Sequence, residues 1–138
     1  MDKALNYLAL AKKGRLIELG EEPVGAITRA VKGRLVIVAS DASDHTWRRA
    51  KSFVAGTDQQ CLRVPFSKEE LGFVVGRTSL AIAAFTDAAM ALAFVKALPD
   101  QGKAKEVREN LEAKSRKLRQ RKDEAKAHER NVRLGKKK

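Results

Sequence analysis

The sequence predicts an α/β domain, a small mixed sheet with helices on both faces, followed by a basic C-terminal tail that is helical or disordered. Three observations predict this. Short apolar runs alternate with segments of helical periodicity, which implies a sheet covered by helices. One run, Leu35–Ala39, is apolar without interruption and rich in β-branched residues, as a strand buried on both faces is. The composition then changes after Pro99, where Glu, Lys, Arg, Ala and Gln take over. The expected division is therefore a compact domain over 1–99 and a basic extension over 100–138.

Each element has its own signal. Leu5, Leu8 and Ala9 share a face of a helix over Lys3–Lys13, and Gly14 stops it. Leu16–Leu19 reads as a short strand. After the turn at Gly20, Pro23 suits the first turn of a second helix, because its missing N–H is not needed there. Val24, Ile27 and Val31 give that helix an apolar stripe, and Gly33 ends it. Leu35–Ala39 is the second strand. Ser43 or Asp44 caps the next helix, whose stripe is Trp47, Ala50 and Val54, with Gly56 as its stop. Cys61–Val64 is a third short strand, closed by Pro65. Ser67 and Glu70 fit a capping box for a short helix to about Val75, broken by Gly76. Leu80–Phe85 is the fourth strand. Ala88–Leu98 is a helix with Ala91, Phe94, Val95 and Leu98 inward, terminated by Pro99.

The tail carries Ala104, Leu111, Leu118, Ala125 and Val132 at seven-residue intervals. The positions three further on are Val107, Lys114, Arg121 and His128, so most heptads hold one apolar residue and a coiled coil is poorly supported. A frayed, solvated, basic helix or a disordered arm is expected.

Length and charge narrow the function. The chain has 138 residues and a net charge of +12. Residues 1–100 hold 14 basic and 11 acidic residues, and residues 101–138 hold 15 and 6, so +9 of the charge lies in the tail. Such a balance points toward a polyanion, most often nucleic acid. The single Cys61 excludes a disulfide scaffold and a cysteine-only zinc site. The apolar stretch Ala88–Val95 falls far short of the roughly 18 residues that suggest a membrane span. The N-terminal residues do not read as a secretory signal, and a reduced cytoplasmic setting is expected.

Enzymatic constellations are weak. Ser40, Asp41, Ser43, Asp44 and His45 are neighbours in one loop, which does not supply the convergence of nucleophile, base and orienting carboxylate that hydrolysis needs. A strand-to-helix loop with a cap explains them. No phosphate-loop or dinucleotide pattern is present, and Cys61 on an apolar strand reads as core. No catalytic residue, metal or cofactor is expected. The start of the second helix offers more. Backbone N–H groups at a helix N-terminus can meet phosphates or base edges, yet Glu21 and Glu22 stand there and repel phosphate. Either they stabilise the helix dipole, or a carboxylate accepts hydrogen bonds from a base edge with two donors, such as the Watson–Crick edge of guanine.

Three segments carry a resemblance. Leu19-Gly-Glu-Glu-Pro-Val-Gly-Ala-Ile27, Gly33-Arg-Leu-Val-Ile-Val-Ala-Ser-Asp-Ala-Ser43, and Ser67-Lys-Glu-Glu-Leu-Gly72 with Gly76 and Arg77 occur in the same order as in a known family. Together they resemble the kink-turn RNA-binding superfamily of ribosomal proteins, the seven-A-e and thirty-e group, and within it the small bacterial YlxQ-like or YbxF-like members. The similarity covers about residues 3–98. It implies a three-layer α-β-α sandwich with a four-stranded mixed sheet. It also implies an RNA face built from the start of the second helix, the loop after the second strand and the loop before the fourth.

In the family motif a Gly, a variable residue, Asn-Glu and a downstream Lys contact sheared G·A pairs. The Asn position resembles Glu21, the Glu position Glu22, the Lys position Gly25 and the first Gly position Leu19. Of these, Glu22 keeps the family residue, and Gly-Glu-Glu is common in the bacterial branch. Val74, Val75, Gly76 and Arg77 resemble the loop that packs on an extruded base; a core role for Val74 and Val75 with Arg77 solvated is an equal alternative.

The implied RNA-binding residues are thus Gly20, Glu21, Glu22, Gly25, Arg29, Lys32, Val74, Val75, Gly76 and Arg77, with Arg29, Lys32, Lys12 and Lys13 as replacement phosphate contacts. Lys114, Arg116, Lys117, Arg119, Arg121 and Lys122 are the expected phosphate contacts of the tail, which has no Phe, Trp or Tyr for stacking. The reading is a non-enzymatic RNA-binding protein whose partner is structured RNA, with ribosomal RNA a candidate. A protein-interaction module of the translation machinery, bound to ribosome-associated proteins, is the alternative. A recognition domain serving a separate RNA-modifying enzyme is a third.

Overall fold

The computed structural model describes residues 2–99, 102, 104–114, 116 and 117. Nine elements follow in order: α1 (Lys3–Lys13), β1 (Ile17–Leu19), α2 (Glu21–Arg29), β2 (Leu35–Val38), α3 (Asp44–Val54), β3 (Cys61–Arg63), α4 (Lys68–Val74), β4 (Ile82–Phe85) and α5 (Ala88–Lys96). A sixth helix occupies residues 104–114. The sheet order is β1-β4-β2-β3. β4 runs antiparallel to both neighbours, and β2 and β3 are parallel, so the sheet is mixed. α2 packs on α3, and α1 packs on α4 and α5, giving the three-layer sandwich.

The chemistry of the caps explains the helix starts. Asp2, Ser43, Ser67 and Asp87 each accept a hydrogen bond from a backbone N–H of the following first turn. Ser67 and Glu70 form the full capping box. At the cap of α3, Ser43 holds the position and not Asp44. The two inner strands β2 and β4 are buried along their whole length, and Phe85 meets Phe94 across the sheet–helix layer at 5.1 Å between ring centroids.

Two local readings are corrected. α2 ends at Arg29 and not at Gly33, and Val31 lies beyond it in a left-handed turn (φ 56°), half exposed and outside the buried stripe. The stretch runs into Gln59, whose side chain accepts from the Gly33 N–H at 2.8 Å and donates to the Thr28 carbonyl at 3.0 Å. These bonds satisfy buried backbone groups where the helix stops.

The second correction concerns the tail. Its first turns are not solvated: Ala104, Val107 and Leu111 are buried and belong to the core cluster. Asn110 donates to Gln60 at 2.9 Å, and Lys114 donates to the Asp58 carbonyl at 3.0 Å. The helix therefore lies beside β3, an edge strand that would otherwise present unpaired groups and apolar surface.

Candidate nucleic-acid interface

The strand register decides which loops meet. Leu19 pairs with Ala83, and Val38 pairs with both Ile82 and Arg63. The C-terminal ends of β1, β2 and β3 thus share one end of the sheet with the start of β4. Backbone bonds tie the loops there: Gly20 N–H to the Ile82 carbonyl at 3.0 Å, Ala39 N–H to the Ala81 carbonyl at 2.9 Å, and Ser40 N–H to the Phe66 carbonyl at 2.8 Å. Asp41 accepts from the Lys68 N–H at 2.8 Å. Asp41 and Ser43 are occupied as loop and cap ligands, consistent with a structural role for the Ser40–His45 segment.

Gly20 and Arg77 are brought together. Gly20 has φ 95°, and a Cβ there would stand 3.6 Å from Arg77 Nη1 and 3.9 Å from Pro23. Gly72 makes the approach of the second loop possible. A Cβ at Gly72 would lie 2.8 Å from the Arg77 carbonyl oxygen and from Ser79 N. With hydrogen in its place, the loop closes onto α4 through Arg77 N–H to the Gly72 carbonyl at 2.8 Å. Gly76, at φ 76°, turns the chain into that loop.

The first turn of α2 carries the acids. Glu21 accepts from Arg49 Nε of α3 at 2.6 Å. Glu22 is exposed and makes no ion pair among the described residues. Gly25 is buried beneath the Phe53 ring, whose edge would lie 3.3 Å from a Cβ at Gly25, so this position has no side chain to offer RNA. Arg29 fills part of that space. Its Nη1 stands 3.3 Å from the same point, one turn N-terminal of its own Cα, the direction in which helical side chains lean. Arg49 lies over Phe53 at 5.0 Å from the ring centroid. Arg29 and Phe53 therefore flank Gly25, and Arg49 links Phe53 to Glu21.

Other expected residues fall elsewhere. Val75 is 2% exposed and packs in the core, and Val74 is half-buried. Lys32 lies at the opposite end of the sheet, where Arg34 N–H bonds the Phe85 carbonyl. Lys12 and Lys13 end α1 just before β1 begins, at that same far end. Lys114 is held by Asp58, with Nζ 3.5 Å from its carboxylate, and is not a free phosphate contact. Arg116 and Lys117 are exposed. Arg119, Arg121 and Lys122 lie outside the described residues.

Arg49, Phe53 and Phe73 were not among the expected site residues. Arg49 and Phe53 are an i,i+4 pair, so their contact was readable, but their approach to α2 was not. Phe73 is 77% exposed at the end of α4, beside the Gly76–Arg77 loop. Its position off the Leu71–Val75 face was the available signal. Burial pushes the Cys61 thiol above its ordinary pKa, with Lys51 opposing, so it is a poor nucleophile. Among the described residues no group of three or more His, Cys, Asp or Glu is placed to hold a metal, and no helix is long and apolar enough to cross a membrane.

Together these features define a small α-β-α sandwich that presents a loop-built polar face at one end of a mixed sheet. Known proteins share this architecture. A protein of unknown function from Bacillus halodurans superposes with a TM-score of 0.66 at 24% identity, over 72% of this chain and all of that one. The Giardia lamblia 15.5kD RNA binding protein does so with a TM-score of 0.53 at 18% identity, over 80% of this chain and 86% of that one. Both bear on the fold. In sequence, the chain is 32% identical over 75 residues to the RNA-binding protein YlxQ of Enterococcus faecium, covering 54% of this chain and 72% of that protein. No family model matches the chain. On that relationship the chain belongs to the YlxQ branch of the kink-turn ribosomal-protein superfamily.

Proposed function

We infer that the chain is a non-enzymatic RNA-binding protein that reads a structured RNA with the loop end of its sheet. The observation that carries this is the approach of Arg77, from a distant segment, to within 3.6 Å of the Cβ position of Gly20, two residues before the exposed Glu22. It stands in a chain whose Enterococcus faecium relative is named an RNA-binding protein. Glu22 is the discriminating group: its carboxylate accepts from a base edge with two donors, the Watson–Crick edge of guanine. Arg29 and Arg77 contact phosphates. Val74, Gly76 and Arg77 border the place of an unstacked base. From the tail, Arg116, Lys117, Arg119, Arg121 and Lys122 add phosphate contacts that carry no sequence information.

Ribosomal RNA is the candidate target and the cytoplasm the candidate setting. The alternative, a protein-interaction module presenting Glu21 and Glu22 to a basic partner, loses support because Glu21 is already paired with Arg49.

Titration of the full chain against a kink-turn RNA, a plain duplex and an unrelated hairpin at moderate salt tests the reading. The expected result is preference for the structured RNA, lost selectively in Glu22→Ala. Equal weak binding to all three overturns it.

A further inference from the structure

The cluster around Gly25 contains a cation that the RNA face described above does not use. Resting on the RNA-binding reading, we propose that Arg49 is a phosphodiester-contacting residue that extends this face from α2 onto α3, with Glu21 as its positioning residue.

The geometry fixes the guanidinium from two sides. Its Nε donates to Glu21 Oε1 at 2.6 Å, and its plane lies near the Phe53 ring, 5.0 Å from carbon to centroid. Phe53 is itself set by the close approach of α2 and α3, which Gly25 permits. Arginine has five N–H donors, and the Nε bond uses one. The four Nη donors remain, on a side chain that is 49% exposed. A guanidinium held in this way presents a planar fork, the arrangement suited to two oxygens of one phosphate.

Charge favours the same assignment. Two carboxylates in the first turn of α2 repel an approaching RNA backbone. Arg49 offsets one of them at contact distance and leaves Glu22 as the carboxylate available to a base. Glu21 therefore acts through Arg49 and not on a base edge. Arg29 places a second guanidinium on α2, with Nη1 3.3 Å from the Cβ position of Gly25, the point that the Phe53 ring also approaches. An acidic protein would also meet such cations, but Arg77, 3.6 Å from the Cβ position of Gly20 just before α2, adds a further guanidinium at the start of that helix, as a run of backbone phosphates requires.

The test uses the full chain, a kink-turn RNA and a plain duplex, with dissociation constants measured across a series of KCl concentrations. Arg49→Gln is expected to weaken binding several-fold and to flatten the slope of log affinity against log salt by about 0.7–0.9, the share of one phosphate contact. Arg49→Lys keeps the slope and loses affinity, because the charge remains but the fork does not. Arg48→Gln, on the exposed neighbour in α3, leaves both near wild type. Glu21→Ala weakens binding in the wild-type background but not in the Arg49→Gln background, whereas a merely structural Glu21 weakens both equally. Both side chains of the pair are about half exposed, so the variants are expected to keep the wild-type melting temperature.

A wild-type slope in Arg49→Gln, or an equal loss in Arg48→Gln, overturns this proposal while leaving RNA binding intact. Failure of the wild-type chain to bind either RNA overturns both readings.

Discussion

Gly72 shows how one missing side chain can let two segments close on each other. Three backbone atoms, the Arg77 oxygen and Ser79 N and Cα, lie within 2.9 Å of where its Cβ would be. Backbone cannot rotate away as a flexible side chain can. Gly72→Ala is therefore expected to cost about 1–3 kcal/mol and to push the Arg77 loop off α4. Gly76 is the useful contrast. It has φ 76° but open space around it, so Gly76→Ala costs only the left-handed backbone penalty, about 1–2 kcal/mol. Thermal melts of the two variants check this, together with RNA titration. A Gly72→Ala variant that binds RNA like wild type would remove the connection between this glycine and the site.

At the same scale, the sequence marked Gly20, Glu22 and Arg77 because each sits in a recognisable local pattern. It did not mark Arg49. The ion pair of Arg49 with Glu21 spans 28 positions and exists only because α3 lies against α2. Val75 was ambiguous for a related reason. Adjacent residues Val74 and Val75 differ in burial through the packing of α4, which periodicity in a seven-residue helix barely constrains.

Elements were more legible than contacts. The caps, the capping box and the fully apolar β2 and β4 all follow from short-range chemistry, and each appears close to the residues that announce it. The helix over 104–114 is the instructive exception. Its sequence holds a thin apolar column of Ala104, Val107 and Leu111 amid charge, which by itself supports only a solvated helix. The column is buried because β3 is an edge strand with apolar surface to cover.

Leu111 is fully buried, so Leu111→Ala is expected to destabilise the protein by about 2–4 kcal/mol. Leu10→Ala, at a leucine 52% exposed, is expected to change stability by roughly 0.5 kcal/mol or less. Denaturant titration separates these outcomes. Equal, small effects at both positions would mean that the helix does not stabilise the domain.

For the whole molecule, charge and structure divide the chain differently. The sequence places the change of character near residue 100, yet the core continues to Leu111 and the ion pairs to Lys114. A truncation after Lys117 is therefore expected to keep the melting temperature of the full chain. It removes nine basic and three acidic residues and so flattens the salt dependence of RNA binding while preserving the preference for structured RNA. A truncation after Pro99 also strips the cover from the β3 side and lowers the melting temperature. Matching melts for the two truncations would show that residues 104–114 contribute nothing to folding.

What the sequence determined by itself was local. It set the order of strands and helices, the caps that start the helices, the apolar runs that had to be buried and the basic surplus of the tail. These depend on backbone geometry, hydrogen bonding of nearby groups and periodic burial, all of which act over a few residues. Only the tertiary structure decided which loops share an end of the sheet. It set Lys32, Lys12 and Lys13 at the far end of the sheet from the Gly20–Arg77 loops, buried Gly25 under Phe53 and paired Arg49 with Glu21. The reason is that strand order and register, and the close approach of α2 and α3, depend on how distant surfaces fit. No window of sequence contains both surfaces at once.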